Sequence, residues 1–197
     1  MPRPDVSDER IPQILNAAAA KFAENSIDGA SMAQIAKAAN VSKATIYHYF
    51  DSKDALVEAL VRRLFDEDTS EIDSLLQTKA SFSERITSYV DNLVILLEQN
   101  KALYPIFAEF KTMTMRRPAI QNIIQEYFAG YIVTFQQLIE EGQTQGEVRP
   151  NIAPQEAAIA LVAIIEGAIL LAQNLEKPLD QIMTTSLNII MNGLATE

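Results

Sequence analysis

A chain of 197 residues without a cysteine cannot form a disulfide framework or a zinc–thiolate site, and it has no cysteine nucleophile. Its single histidine also excludes a site built from several imidazoles. The length suits one large domain or two small ones, and the first residues lack the apolar core of a signal peptide, so we expect a cytoplasmic protein.

The net charge of −10 opposes nucleic-acid binding, but it is unevenly distributed. Residues 1–54 carry six basic and seven acidic side chains, whereas residues 55–197 carry ten basic and nineteen acidic ones. Within residues 31–53, three lysines stand against one carboxylate, that of Asp51. The locally positive segment permits DNA as a partner, although charge alone does not predict it.

Helices are predicted throughout, because apolar residues recur at helical spacing and no strand-like alternation persists. A first helix begins near Ser7 and ends between Asn25 and Gly29. A short second helix follows, and its start fits a capping box of Ser31 and Gln34.

Asn40 ends the second helix, since asparagine tolerates left-handed backbone better than any residue except glycine. Ser42 is suited to cap a third helix that runs to about Tyr49. Because only about three residues separate the two helices, they must cross steeply. Asp51 and Ser52 are candidate caps for a fourth helix over residues 53–68.

Longer helices are predicted beyond residue 68, over residues 82–99, 104–115, 118–142, 154–175 and 178–194. The fold class is therefore all-α, with about nine helices. We expect an N-terminal helix-turn-helix domain of residues 1–52. A larger C-terminal domain of residues 53–197 would follow, joined through the helix 53–68.

One apolar stretch, residues 157–172, tests for a membrane span. It has 16 residues with Glu166 among them, and a bilayer crossing needs about 20. We therefore expect a buried helix.

The outward side of the third helix carries the strongest functional signal. Ile46 and Phe50 fall on one side, which leaves Ala44, Thr45 and His48 pointing away. The small Ala44 allows close approach to base edges in a DNA major groove. Taken alone, such a helix pair is common and favours DNA binding only weakly.

The segment DGASMAQIAKAANVSKATIYHYFDSKDALVEAL, residues 28–60, closely resembles the signature of the tetracycline-repressor (TetR/AcrR) family of bacterial transcription regulators. The matching positions are Gly29, Ser31, Met32, Ile35, Ala36, Ala39, Val41, Ser42, Thr45, Ile46, Tyr47, Tyr49, Phe50, Ser52, Lys53 and Leu56. The family usually has glycine at the Asn40 position, a departure that a left-handed cap explains.

The resemblance implies a ligand-responsive regulator that binds a palindromic operator as a homodimer, usually as a repressor. It implies base or groove contacts for Lys43, Ala44 and Thr45. It implies phosphate contacts for Ser31, Ser42, Tyr47, His48, Tyr49 and Lys53. The fourth helix, taken as the only covalent link between the domains, is expected to transmit the ligand signal.

Two features of the C-terminal part agree with this family. The helix of residues 157–172 is apolar nearly all round, so with the last helix it could form an isologous interface. The predicted interface residues are Ala160, Ala163, Ile164, Gly167, Ala168, Leu171, Ile182, Met183, Ser186 and Ile190. The alternative is that both helices belong to the core of one chain.

A surplus of large apolar residues in the middle helices indicates an effector pocket for an apolar or aromatic small molecule, although ordinary core packing also accounts for each of them. The candidates are Asn92, Leu93, Leu96, Tyr104, Phe107, Glu109, Phe110, Tyr127, Tyr131 and Glu166.

Two rival functions remain. An enzyme is disfavoured, because no nucleophile with its base, no metal cluster and no phosphate loop is evident, so we expect no catalytic residue, metal or cofactor. A helical sensor that has lost DNA binding is the second rival, and the intact face of residues 43–49 argues against it.

Overall fold

The computed structural model describes residues 6–99, 104–114, 117–175 and 177–196. In these residues the fold is all-α, as predicted, with nine α-helices and one 3₁₀ turn at Leu75–Gln77. The helices are α1 (Val6–Gly29), α2 (Met32–Ala38), α3 (Lys43–Tyr49), α4 (Lys53–Ser74), α5 (Phe82–Gln99), α6 (Tyr104–Met113), α7 (Pro118–Gln145), α8 (Pro154–Leu175) and α9 (Leu179–Leu194).

The chain forms two compact units that do not follow the predicted boundary after residue 52. Unit 1 comprises Met1–Asp66 and Asn100–Ile124, and unit 2 comprises Glu67–Gln99 and Gln125–Glu197. Unit 1 therefore contains α6, because α6 packs on α1. The chain passes between these units three times, so α4 is one of three covalent connections between them.

Unit 1 is organised around α1, which contacts α2 and α6. Ile14, Phe22, Ile35 and Ile46 are almost fully buried in its core. Ile46 and Phe50, predicted to share the inner side of the third helix, are both buried. Their burial fixes which side of α3 is left for a partner.

The end of α1 contains a sharp break. Ser26 has φ 62° and ψ 165°, a backbone conformation that costs a non-glycine residue energy. Its hydroxyl accepts a hydrogen bond from the Gly29 N–H at 3.2 Å. Because the helical ladder is interrupted here, the Ile27 N–H needs another acceptor, and the Glu109 carboxylate of α6 provides it at 3.0 and 3.1 Å.

The turn between α2 and α3 forms as its sequence predicts. Ser31 and Gln34 make the capping box at the start of α2. Asn40 adopts the left-handed conformation with φ 51°. The Ser42 side chain then accepts the Thr45 N–H at 2.9 Å and caps α3.

Unit 2 contains α5, α8, α9 and most of α7, and α9 packs against both α5 and α8. Tyr89, Phe135, Leu161 and Met183 are among its most buried side chains. Arg85 is also buried, with 3% of its surface exposed, and its guanidinium contacts the Glu141 carboxylate at 2.8 Å.

Candidate DNA interface and regulatory surfaces

The outward face of α3 is built from two pairs of exposed side chains. Lys43, Ala44, Tyr47 and His48 are exposed, while Ile46 is fully buried and anchors the helix. The Lys43 ammonium lies 5.9 Å from the centre of the Tyr47 ring, a cation–π distance. This pair presents a positive charge and a phenol hydroxyl on the same side of the helix.

His48 and Tyr49 extend this face along α3. Their rings meet edge to face with centres 5.2 Å apart, and Tyr49 is half-buried. The contact restricts both rings, so their polar ends are held in place at little entropic cost. Both remain candidates for phosphate contacts.

Ser42 and Thr45 are less available than the sequence indicated. Their hydroxyl oxygens are hydrogen-bonded to each other at 2.8 Å, and Ser42 also accepts the Thr45 N–H. The Thr45 methyl group is unaffected by this bonding. A thymine methyl is therefore a better match for Thr45 than a base acceptor.

Ser31 and Lys53 are likewise engaged within unit 1. The Ser31 hydroxyl donates to Gln34 Oε1 at 2.8 Å. Lys53 Nζ donates to the Asp28 and Ala30 carbonyls at 3.1 and 3.3 Å. An ammonium has three hydrogens, so at most one of those on Lys53 is left for a phosphate. The structure thus gives Lys53 a second task, stabilising the carbonyl end of α1.

Arg117, which sequence reasoning missed, connects three segments of unit 1. It pairs with Asp54 at the start of α4 and with Asp28 at the end of α1, the latter at 3.3 Å. With the bond from Ile27 to Glu109, it fixes the α1 end and the α4 start beside α6. No local pattern marks such residues, because their partners lie at least 63 positions away in the chain.

The predicted effector residues are not brought together as one group. Leu93, Tyr127 and Tyr131 are buried in unit 2, and Glu166 is half-buried there. Asn92 and Leu96 are exposed, which removes them from an enclosed pocket. The side chains of Tyr104 and Phe107 lie outside the described residues.

Two further effector candidates belong to unit 1. Phe110 is fully buried there, and Glu109 accepts the Ile27 N–H with both carboxylate oxygens. The structure therefore gives Glu109 a structural partner that the sequence did not indicate. A ligand would have to compete with that bond.

An aromatic cluster in unit 2 joins α5 and α7. The Tyr127 and Tyr131 ring centres lie 4.5 Å apart, and Tyr89 and Phe135 meet Tyr131 edge to face at 6.2 and 6.0 Å. The Tyr89 hydroxyl donates to the Tyr131 hydroxyl at 2.7 Å in a buried position. Tyr89 and Phe135 thus belong with the predicted Tyr127 and Tyr131.

The outer face of α8 is apolar and exposed rather than buried. Ile159, Leu170, Leu171 and Leu175 are each about half exposed, and Ile189 on α9 is 70% exposed. The stretch Pro154–Ala172 is long and apolar enough to cross a membrane by length and composition, and only 33% of it is buried. The expectation of a buried helix was therefore wrong for this face.

The predicted interface residues divide between two faces. Ala160, Ala163 and Leu171 are exposed, and Ile164, Gly167, Ile182, Ser186 and Ile190 are half-buried. Ala168 and Met183 are 3% and 0% exposed, because they pack in the core of unit 2. Because those two side chains are buried within one chain, their prediction as interface residues was wrong. Across the described residues, no group of three His, Asp or Glu side chains is placed to hold a metal ion.

An all-α fold that exposes a capped helix after a tight turn defines a helix-turn-helix protein. The sequence model of the family described as bacterial regulatory proteins, tetR family, matches residues 14–60. The family model for the C-terminal region of BetI-type transcriptional repressors matches residues 82–188. The chain belongs to the TetR family of bacterial transcriptional regulators.

Individual relatives agree with this assignment. The transcriptional repressor DhaR of Mycobacterium sp. (strain GP1) is 28% identical over 167 residues, 83% of each chain. The regulator BetI of Escherichia coli is 28% identical over 191 residues, 95% of this chain and 94% of that one. A regulator from Saccharomonospora viridis, solved in complex with choline, has the same fold, with a TM-score of 0.81, 21% identity and coverage of 96% and 100% of the two chains.

Proposed function

We propose that the protein is a homodimeric repressor that binds a roughly palindromic operator and is released by a small effector. The observation that carries this proposal is the exposed face of α3, with Lys43, Ala44, Tyr47 and His48 beside a buried Ile46. A recognition helix of this kind enters the major groove, and two-fold dimers demand half-sites about one DNA turn apart.

The proposed contacts sort into two kinds. Lys43, Ala44 and the Thr45 methyl group read base edges. Tyr47, His48 and Tyr49 position the helix on phosphates, with smaller contributions from Ser31, Ser42 and Lys53, whose polar atoms are already hydrogen-bonded.

The first experiment is selection of duplexes from a random library with the purified protein, followed by sequencing. A roughly palindromic site is expected, and Thr45→Ala or Tyr47→Ala should weaken it. Lys79→Ala, an exposed lysine of unit 2, is the matched control and should bind as the parent does. Failure of the parent protein and of protein supplied with cell extract to select any site would refute the proposal.

We place the dimer interface on the outer face of α8 and α9. The exposed residues Ile159, Leu170, Leu171, Leu175 and Ile189 form an apolar surface that a second copy would cover. In the described part of the chain, no side chain stands within 4 Å of where a Cβ on Gly167 would lie, which leaves room for close helix approach. Burial of α8 in a lipid bilayer is disfavoured, because the Glu166 carboxylate lies within its apolar stretch, Pro154–Ala172.

Sedimentation velocity tests the interface. Leu170→Glu or Ile189→Glu should shift the protein from dimer to monomer, because each would bury an unpaired carboxylate. Ile95→Glu is the matched control, since Ile95 is an exposed apolar residue of α5 in the same unit. Equal behaviour of all three variants would refute the assignment.

For the effector, we propose contact with the aromatic cluster of Tyr89, Tyr127, Tyr131 and Phe135. Aromatic faces accept both apolar molecules and quaternary ammonium groups. The regulator from Saccharomonospora viridis carries choline, which makes choline the first organic cation to test beside neutral aromatic compounds. The effector should lower operator affinity, and Tyr131→Ala should abolish that response while operator binding without effector persists.

The proposed mechanism is a shift between two states of the dimer. One state would hold the two recognition helices at the wrong separation for the operator. An effector that prefers this state by a few kcal/mol would release the repressor from most operators. Because the chain crosses between the units three times, segments besides α4 are available to carry the shift.

A further inference from the structure

A shallow depression lies between α2 and α3, beside the proposed recognition face. Its walls include Lys37 from the last turn of α2, Asn40 from the turn, and Lys43 from the start of α3. Ala33 and Ala36, whose side chains are single methyl groups, also line it, which keeps it open. Among the residues that the structure describes, none that lines the depression is acidic, although the chain as a whole has a net charge of −10.

Several polar groups that line this depression are already hydrogen-bonded. The Asn40 and Val41 N–H groups already donate to the Lys37 and Ala36 carbonyls, at 3.1 and 2.9 Å. The Ser42 hydroxyl is engaged with Thr45. Among the side chains that line the depression, the Lys37 and Lys43 ammonium groups and the Asn40 amide suit a phosphate oxygen.

Lys37 differs from other cations of unit 1. Lys21 is paired with Glu24, Arg117 with two aspartates, and Lys53 with backbone carbonyls. In the described part of the chain, no carboxylate lies within 4.0 Å of Lys37 or Lys43. An unneutralised pair of like charges is electrostatically unfavourable in the free protein, and an anion bound between them relieves the repulsion.

We propose that Lys37 and Asn40 hold one backbone phosphate of the operator in this depression. Neither residue is among the predicted DNA contacts. The phosphate would sit beside Lys43 and screen it from Lys37, which leaves Lys43 to reach a guanine edge. This inference rests on the proposed operator binding and assigns a further contact to the same surface.

The test is the salt dependence of operator affinity for Lys37→Gln, measured by fluorescence anisotropy on the selected duplex between about 50 and 200 mM salt. Each lost phosphate contact lowers the slope of log K against log salt by about 0.9, so a dimer should lose about 1.8. Lys21→Gln is the matched control, because it removes the same charge from the same unit at an ammonium already paired with Glu24. Its slope should equal that of the parent.

Asn40→Gly tests the contact of the Asn40 side-chain amide with the phosphate separately from the charge of Lys37. Glycine accepts the left-handed backbone of this position, so the turn should be preserved. The loss of two neutral donors per dimer should weaken binding by about tenfold or more, with no change in salt slope. Circular dichroism of all variants checks that the fold is intact. Lys37→Gln and Lys21→Gln should leave their helices intact, because glutamine and lysine have similar helix propensities.

The outcomes are distinct. A reduced slope for Lys37→Gln with an unchanged ranking of operator sequences supports the phosphate contact. A parental slope overturns it while operator binding stands, and an altered base preference overturns it in favour of base contact. If the parent protein binds no duplex at all, the proposed function fails, and this inference fails with it.

Discussion

The bond between Ile27 and Glu109 gives the sharpest test of the structure of unit 1. Ile27 has no exposed surface, and the Glu109 carboxylate is the acceptor of its N–H. A buried donor left unsatisfied costs about 1 to 3 kcal/mol, and bonds to charged groups lie in the upper part of that range. We therefore expect Glu109→Ala to lower the free energy of unfolding by about 2 kcal/mol.

Glu109→Gln is the matched control. Its amide oxygen can still accept the Ile27 N–H, and only the assistance of the negative charge is lost. Because a neutral hydrogen bond contributes about 1 kcal/mol less than a charged one, the loss should be about half that of the alanine variant. Alanine is itself a good helix former, so propensity does not account for a loss at this position of α6.

The assay is urea or thermal unfolding followed by the helical circular dichroism signal, since the chain has no tryptophan for fluorescence. Protein concentration must be fixed, because dimerisation raises apparent stability by mass action. For a chain of this size, 2 kcal/mol corresponds to a fall in Tm of about 4 to 8 °C. Equal stability of the parent and Glu109→Ala, within about 0.5 kcal/mol, would refute the role of this bond.

Three further predictions concern other parts of the chain. Asn40→Gly should raise the midpoint of unfolding slightly and Asn40→Val should lower it by about 1 kcal/mol or more, because φ at this position is 51°; equal midpoints would contradict the argument. Hydrogen bonds from Ser81 lower the pKa of Glu84. A carboxyl group with a lowered pKa stabilises the fold above its unfolded pKa, and this stabilisation is lost as the pH falls through the folded pKa. Acid titration below about pH 4.5 should therefore separate the parent from Ser81→Ala. The stability of Ser81→Ala should fall less over that range. Glu141→Ala should destabilise unit 2 more than Arg85→Met, because Arg85 is 3% exposed and would keep a buried, unpaired charge, whereas Glu141 is 44% exposed; the reverse order in urea unfolding would contradict this.

The recognition turn is the part of the fold that the sequence predicted best. Ser31 and Gln34 cap α2, Asn40 is left-handed and Ser42 caps α3. Each of these features depends on residues no more than three positions apart, so local patterns contain the information. The all-α fold was predictable for the same reason, since helical periodicity is a local property.

The candidate interface residues on α8 and α9 were only partly predictable. The outer and inner sides of α8 are both apolar, so composition does not say which faces the core of its own chain. The structure buries Ala168 and leaves Leu170 and Leu171 exposed. That choice depends on where α9 packs, which periodicity does not contain.

What the sequence by itself determined was the series of helices, the caps of α2 and α3, the family, and the outward position of Ala44 and His48 on α3. Only the tertiary structure decided the partners of single polar groups: Lys53 on the carbonyls of α1, and Glu109 on the Ile27 N–H. The physical reason is that caps and periodicity arise from neighbours within one or two turns. A buried donor such as the Ile27 N–H takes whichever acceptor the packing of distant segments brings to it, in this case one 82 residues away.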